Sequence, residues 1–569
     1  MKLFFIYNLL YSPLGDGGMG AAESPVERIK KASDGLRGTL KESLLDEHTG
    51  AIRNDDQSLI KFHGMYMQDD RDRRDERATK KLERLYSFMI RLRLPGGILT
   101  PQEWIALHNV AGEHSTGVIK ITTRQTVQLH GILKSHVKPT IAAFDKMKLD
   151  SIAACGDVNR NVIASAHPKF SEIHEEVFEY ANKLSYLLLP KTRAYYEVWL
   201  DEEKLLEVNE EDKLYQDRYL PRKFKIAIAI PPYNDVDIFT NDVGVIAIIE
   251  KNKLVGFNIS AGGGMGTTHG NPDTYPRLGT VLGYVEKDDL EKVVYEIATT
   301  QRDNGNRSDR KLSRLKYTMD RMGVDVFKTE VEKRSGVTFQ PAKNAVFTTR
   351  DDWYGWQQNH EGLWYYTMFV ENGRLFDDEK VQFKKACLEI AESGKAQFRF
   401  TANQNLIIAD VKEEDKAFVD EILTKYNVIA TTEKASPLRK SALACVALNT
   451  CPLALADAQR YLPSLIDKID EVMGKHGLQD EGITVRMTGC PNGCARPYIS
   501  EIGFIGTALG HYNMYLGADA IGYRLNKIYK ENLDEAAILN ELDVLLESFK
   551  TKRKKKESFG DFIMREGIV

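Results

Sequence analysis

The chain has 569 residues, of which 42% are hydrophobic and 28% charged, and its formal net charge is -4. A chain of this length holds roughly three to four domains and several buried cores. So small a net charge excludes nucleic-acid binding by the surface as a whole, six cysteines are too few for a disulfide scaffold, and past the N-terminus no stretch is long and apolar enough to cross a bilayer.

Residues 1–11 carry one lysine and a short apolar run broken by Asn8, so they resemble a weak export signal; a disordered extension, or a true start at Met19, is the plainer reading. Residues 20–60 are polar, with room for short helices at 26–45 but no core of their own. Residues 69–83 form a dense mixed-charge run, read as a solvated helix or loop face, or as an arm around a neighbouring domain or partner. Regular structure starts near Tyr86. Residues 87–94 read as a strand closed by Pro95-Gly96-Gly97. Met89, Arg91 and Arg93 lie on one face, with Phe88, Ile90, Leu92 and Leu94 on the other. A helix follows at 101–112 and a second strand at 118–131, in which Lys120, Thr122, Arg124, Gln128 and His130 share a face. Cations on the polar faces of two neighbouring strands point to an anion site.

Turn signals at Gly156, Asp157 and Asn159 place Arg160 on a loop. A helix is expected at 171–189 and a strand at 194–200. Within 220–230, Lys223 and Lys225 share a face with Ala227 and Ala229, which leaves room for a ligand, while Phe224, Ile226, Ile228 and Ile230 face a core. Lysines guarding a strand edge is the alternative. The strand 254–259 leads into a glycine-rich loop, 262–270, that matches neither a P-loop nor a dinucleotide fingerprint, although its amides can hold an anion. Arg307, Arg310, Lys311, Arg314 and Lys316 form a basic patch, either a second carboxylate site or a solvated helix.

Residues 117–129 align without gaps to residues 396–408, and Leu94-Pro-Gly-Gly-Ile-Leu99 matches Val370-Glu-Asn-Gly-Arg-Leu375 upstream. The chain therefore reads as two related halves, each a strand–helix–strand module followed by a larger α/β module. Arg91, Arg93, Lys120 and Arg124 fall opposite Thr367, Phe369, Arg399 and Asn403, so the anion site leans on the first half.

In the second half a helix is expected from Pro452 to about Lys475, with Leu462, Leu465, Ile466, Ile469, Val472 and Met473 as its buried stripe. A short strand follows at 483–487. These elements separate two cysteine pairs, Cys445-Val-Ala-Leu-Asn-Thr-Cys451 and Cys490-Pro-Asn-Gly-Cys494. Four thiolates in one compact piece of chain suit an iron–sulfur cluster or a structural zinc, and the spacing of the first pair is unlike that of usual zinc pairs. Cys387 reads as a small buried residue, Cys155 as a neighbour of the candidate site, and the basic run 552–556 as a solvated tail.

Seven stretches together carry a resemblance. They are Phe62-His-Gly-Met-Tyr66, Arg91-Leu-Arg-Leu-Pro-Gly-Gly97, Thr123-Arg-Gln-Thr126, Gly156-Asp-Val-Asn-Arg-Asn161, Leu220-Pro-Arg-Lys-Phe-Lys225, Asn403-Gln-Asn-Leu406 and Thr488-Gly-Cys-Pro-Asn-Gly-Cys494. From about residue 26 onward the chain resembles the sulfite/nitrite reductase family. The resemblance implies an α+β fold, a pseudo-twofold repeat of ferredoxin-like half-domains plus two larger α/β domains around a central cofactor site. The implied segments are an extension and charged arm (1–79), a first half-domain (80–145), a sirohaem-binding domain (146–345), a second half-domain (346–430) and a domain carrying the cluster cysteines (431–569).

It further implies one 4Fe-4S cluster on Cys445, Cys451, Cys490 and Cys494, and one sirohaem whose iron shares the sulfur of Cys494. Arg91, Arg160, Lys223 and Lys225 are the implied distal anion pocket. Lys120, Arg124, Gln128 and His130 are implied to line the haem cavity with the glycine loop, Asn403 and Asn405. The implied reaction is the six-electron reduction of sulfite to sulfide in sulfate assimilation and cysteine biosynthesis, with nitrite as the rival substrate. The chain shows no flavin or NADPH signature. Its electrons are therefore expected from a separate NADPH-oxidising flavoprotein (alpha) subunit, or alternatively from ferredoxin, with residues 20–85 as the docking element. A cytoplasmic protein with no nucleic-acid or membrane partner is expected.

Overall fold

The computed structural model describes residues 22–167, 173–203 and 211–569. The export-signal reading of residues 1–11 lies outside the described residues. Two five-stranded antiparallel sheets are built from the repeated modules. The first runs Met65–Asp69, Tyr86–Arg91, Val127–Ile132, Ile119–Ile121, Arg374–Leu375; the second runs Gly355–Gln358, Trp364–Met368, Leu406–Val411, Gln397–Phe400, Ile98–Leu99. Each half thus gives one short strand, Ile98–Leu99 or Arg374–Leu375, to the edge of the other half's sheet: Arg374 pairs with Lys120, and Ile98 with Arg399. The helix Pro101–His114 that backs the first module starts at a capping box formed by Thr100 and Glu103, with proline in its first turn. It buries Trp104, Leu107, Val110 and Ala111 at helical spacing, and Trp104 stacks on Phe398 of the second half at 4.3 Å between ring centroids.

The other two sheets share one topology. Ile163–Ala164, Ile226–Ala229 and Val243–Glu250 run parallel, and Lys253–Ala261 and Thr280–Glu286 complete the sheet antiparallel. Leu443–Ala444, Val485–Thr488 and Ile502–Ala508 repeat the parallel part, followed by His511–Leu516 and Lys527–Leu533. The repeat extends to single side chains. Gln125 and Gln404 are both left-handed, at φ 50° and 67°, and donate to the equivalent carbonyls of Ala164 and Ala444.

Several expectations are corrected. The segment expected as one strand at 118–131 is a hairpin, because residues 122–126 turn through the left-handed Gln125. Residues 194–200 form a helix, Ala194–Trp199, since Ala194, Tyr195, Val198 and Trp199 reach the core at helical rather than alternating spacing. The helix expected from Pro452 begins only at Leu462; residues 452–461 are turns that wrap the first cysteine pair. Of the segment 20–60, the described residues 22–60 do join a core: Leu36, Leu40, Ile52, Leu59 and Ile60 are buried with the first half, and Glu27 pairs with Lys30 (2.6 Å) and Arg307 (2.5 Å) out of solvent. The alanine face of 227–229 is no open space, for Ala227 and Ala229 pack with Ile238 and Phe347.

Candidate active site

Both cysteine pairs follow parallel strands whose ends lie side by side. Cys445 follows Leu443–Ala444, and the Cys490–Cys494 turn follows Val485–Thr488. All six cysteines are unbridged. The backbone N–H of Gly489 points at Cys445 Sγ (3.4 Å) and the Asn492 amide at Cys490 Sγ (3.5 Å), donors of the kind that tune cluster sulfurs. Burial first, then the charge of Cys494, holds the Cys445 thiol far above the usual range and that of Cys451 up to about 11; the same two causes raise Cys490. The four thiols therefore lie within each other's electrostatic reach. Yet among the described residues no group of three His, Cys, Asp or Glu side chains closes around a single-ion position. The donor set, four thiols with N–H groups beside two of their sulfurs, is of the kind that holds an iron–sulfur cluster. The charged arm covers this region: Arg71 Nη1 donates to the carbonyls of Cys451 (3.1 Å) and Ala454 (2.6 Å).

Cys494, the exposed member of the set, opens into a cleft together with Arg124, Lys223, Lys225, Arg314 and Arg496. Met265 and Gly266 of the glycine loop form part of the wall, and Thr267 N donates to Pro491 O at 2.9 Å, so that loop rests on the second cysteine turn. Lys223 is pushed down to about 7, by burial and then by Arg222 and Arg314. Lys225 is pushed well below the usual lysine range by burial, then by Lys223 and Arg124. Both lysines are partly open to the cleft by surface area, but protein packs densely around them. Arg124 is lowered to about 9, by burial and then by Arg496; it donates to Asn161 O (2.6 Å) and Ile226 O (2.8 Å), and its Nε has no partner. Mutually repelling cations with an orphaned donor are what a polyanionic ligand would satisfy.

The remaining expected residues divide. Arg91 and Arg160 stand behind the cleft, close enough to bear on Arg124; Arg91 donates to Ala154 O (3.2 Å) and Cys155 Sγ (2.8 Å), and Arg160 to Gly156 O (2.8 Å). Gln128, with its amide oxygen turned to Arg91, accepts from Nε at 2.9 Å and donates to His130. His130 also meets Gln68 (3.0 Å), and burial, then Lys120 and Arg91, keep it neutral down to about 3. Lys120 donates to Asn372 O and feels Cys445; burial lowers it to about 7. Asn403 and Asn405 are elsewhere. Asn403 lines a second cleft with Arg350 and Asp352, and Asn405 is consumed by Asp352 (2.8 Å) and Val370 N (2.9 Å), because both serve to close the second-half turn. The basic patch is mostly paired, not free. Arg310 chelates Asp157, Arg314 chelates Asp242, and Lys316 is wrapped by carbonyls of the glycine loop. Sequence reasoning missed Arg496, Asp237, Asn241 and Thr123. Arg496, two residues past a cysteine, was the nearest to a legible signal.

Two family models match the chain. One, described as the nitrite/sulfite reductase ferredoxin-like half domain, covers residues 81–147 and 356–426. The other, the nitrite and sulphite reductase 4Fe-4S domain, covers residues 179–339. The chain belongs to the nitrite and sulfite reductase family. It is 66% identical over 548 residues to the sulfite reductase [NADPH] hemoprotein beta-component of Leptospira biflexa serovar Patoc, spanning 96% of this chain and 99% of that one. The protein of the same name from Bacillus subtilis is 51% identical over 548 residues, with 96% of each chain covered. Among solved structures, the Mycobacterium tuberculosis NirA protein shares the fold, with a TM-score of 0.76 at 22% identity over 95% of this chain and 96% of that one.

Proposed function

We propose that the chain is the catalytic subunit of a sulfite reductase, reducing sulfite to sulfide with six electrons. The observation that carries this is the cleft over Cys494, where Lys223 and Lys225 stand beside Arg124 with no hydrogen-bond or ion-pair partner for either ammonium among the described residues. The donor set fits the implied cofactors. Cys445, Cys451, Cys490 and Cys494 would hold a 4Fe-4S cluster, with Cys494 shared with a sirohaem whose carboxylates would meet the buried cations. When bound, these groups supply electrons singly and the iron at which the substrate is held. The chain's own residues do the rest. Arg91, Arg160, Lys223 and Lys225 neutralise a small oxyanion, more strongly than in water because the cleft is protein-walled. Lys223 Nζ, which opens into the cleft with no partner among the described residues, can hand on one of the two protons that an oxygen leaving as water takes up, the other coming from solvent.

The partner name "beta-component" belongs to the relatives. For this chain the corresponding reading is a separate NADPH-oxidising flavoprotein donor and a cytoplasmic setting; among the described residues no helix is long and apolar enough to cross a membrane. The division into five segments at 79, 145, 345 and 430 is part of the same reading, and the two repeated sheet pairs support it only in its alternation of half-domain and larger domain. The test is turnover of the purified holoprotein with reduced viologen, comparing kcat/KM for sulfite and nitrite. Sulfide released with sulfite preferred supports the reading; a clear preference for nitrite overturns the substrate while keeping the site.

A further inference from the structure

Arg496 is almost buried, and its backbone is left-handed at φ 57°. Its Nη1 donates to Thr123 O at 3.1 Å and its Nη2 to Ala402 O at 3.0 Å. Those two carbonyls are the same position in the two halves. Residues 117–129 and 396–408 align without gaps. The turn around each carbonyl is closed by the same bond, Thr122 N to Thr126 O and Thr401 N to Asn405 O. One guanidinium therefore straddles the pseudo-twofold axis and holds both turns. Its Nε lies 2.5 Å from Asp237 Oδ2, an ion pair by distance without hydrogen-bond alignment, and Asp237, also left-handed at φ 46°, accepts from Arg486 Nη1 at 2.6 Å. Thr123 Oγ1 in turn donates to Cys494 O at 3.2 Å, so the cysteine turn and the first-half turn are tied at both ends.

We propose that Arg496, aimed by Asp237, is a positioning residue that fixes the Cys494 turn on the axis between the two halves; this rests on the reading of Cys494 as a cofactor ligand. Only a planar fork can give one N–H to each of two opposed carbonyls while a third nitrogen meets a carboxylate; an ammonium keeps the charge and loses the geometry. Arg496 also adds charge to the cleft, and the lysine variant, which keeps that charge, separates the two roles.

The experiment compares wild-type holoprotein with R496K, R496Q and D237N. Iron and acid-labile sulfide per chain, the visible and electron paramagnetic resonance spectra, and steady-state constants with reduced viologen are recorded for each. R496K and R496Q should both shift the spectra and lower kcat by about 10-fold or more, with KM changed by less than about threefold, as expected for displaced reacting groups. D237N, close in shape to the native side chain, should shift the spectra in the same direction, and it serves alone if the Arg496 variants do not fold. A wild-type spectrum and kcat in R496K would overturn the proposal, since charge alone would then suffice; an unchanged D237N spectrum would remove Asp237 from it. A wild-type protein lacking cluster and haem bands sinks the functional reading instead, and shows itself before any variant is made.

Discussion

Lys223 and Lys225 sit two residues apart on the approach to the strand Ile226–Ala229 and point into the same cleft. Arg222 and Arg314 depress the proton affinity of Lys223, and Lys223 that of Lys225, so an anion in the cleft relieves repulsion as well as gaining attraction. Lys223→Ala or Arg160→Ala should therefore keep iron and haem content but lower kcat with sulfite by about 100-fold, the scale of losing one preorganised charge in a water-poor site. Full turnover in either intact variant removes that residue from the pocket. His63 makes a different kind of statement. Its Nδ1 accepts from Trp199 Nε1 (2.9 Å) and its Nε2 faces Leu36 O (3.0 Å), so the neutral ring is fully used and a second proton would meet another donor. Burial lowers its folded pKa to about 4 from 6.5. As pH falls the unfolded chain takes up that proton first. Stability is whole above pH 6.5, declines through the window down to about 4 and then levels off, a loss of about 3 kcal/mol from this group. His63→Gln should flatten the pH dependence of denaturant unfolding in that window, and an unchanged slope would show the ring is already charged when folded.

At the scale of elements, the repeat was legible because its signal is a gap-free alignment, and both ferredoxin-like sheets follow from it. The turn inside each hairpin was not. Its left-handed residue is a glutamine, which gives no punctuation of the glycine or proline kind. The helix Ala194–Trp199 was missed because Tyr195, Val198 and Trp199 favour strands by propensity, and packing overrode it. Glycines mark where the hairpins are braced. At Gly373, φ 68°, an added Cβ would stand 2.4 Å from Ile121 O and 3.0 Å from Gln404 Cβ, whereas at Gly394, φ 67°, it meets open space. Gly373→Ala should then destabilise by about 3 kcal/mol or more, combining backbone strain with overpacking, and Gly394→Ala by about 1 kcal/mol from strain alone. Equal midpoints in denaturant unfolding would show that the hairpin yields to the methyl group.

For the molecule as a whole, the cysteine spacing and the strand faces carrying Arg124, Lys223 and Lys225 are visible in the sequence, but the residues that join the halves are not. Asp237 reaches Arg486 and Arg496 across some 250 positions, and no local pattern announces such a contact. The same symmetry explains why one half carries the site. Sheet register puts Arg486 where the first half has Ala227, and hence Thr484 at Lys225, Gly482 at Lys223 and Lys440 at Arg160; the hairpin repeat puts Asn403 at Arg124. These residues line the second cleft, beside Asp351 and Asp352. Of the four positions matched to first-half cations only Lys440 remains cationic, and the cleft's own Arg350 and Arg486 are drawn to Asp237, at 3.6 and 2.6 Å. The second cleft is therefore near neutral where the first is strongly positive, and a polycarboxylate macrocycle would be desolvated there without compensation. The purified protein should carry one haem and one cluster per chain, by haem extraction and iron analysis. Loading with excess haem should not raise that ratio, whereas a ratio approaching two would mean that shape, not charge, selects the site.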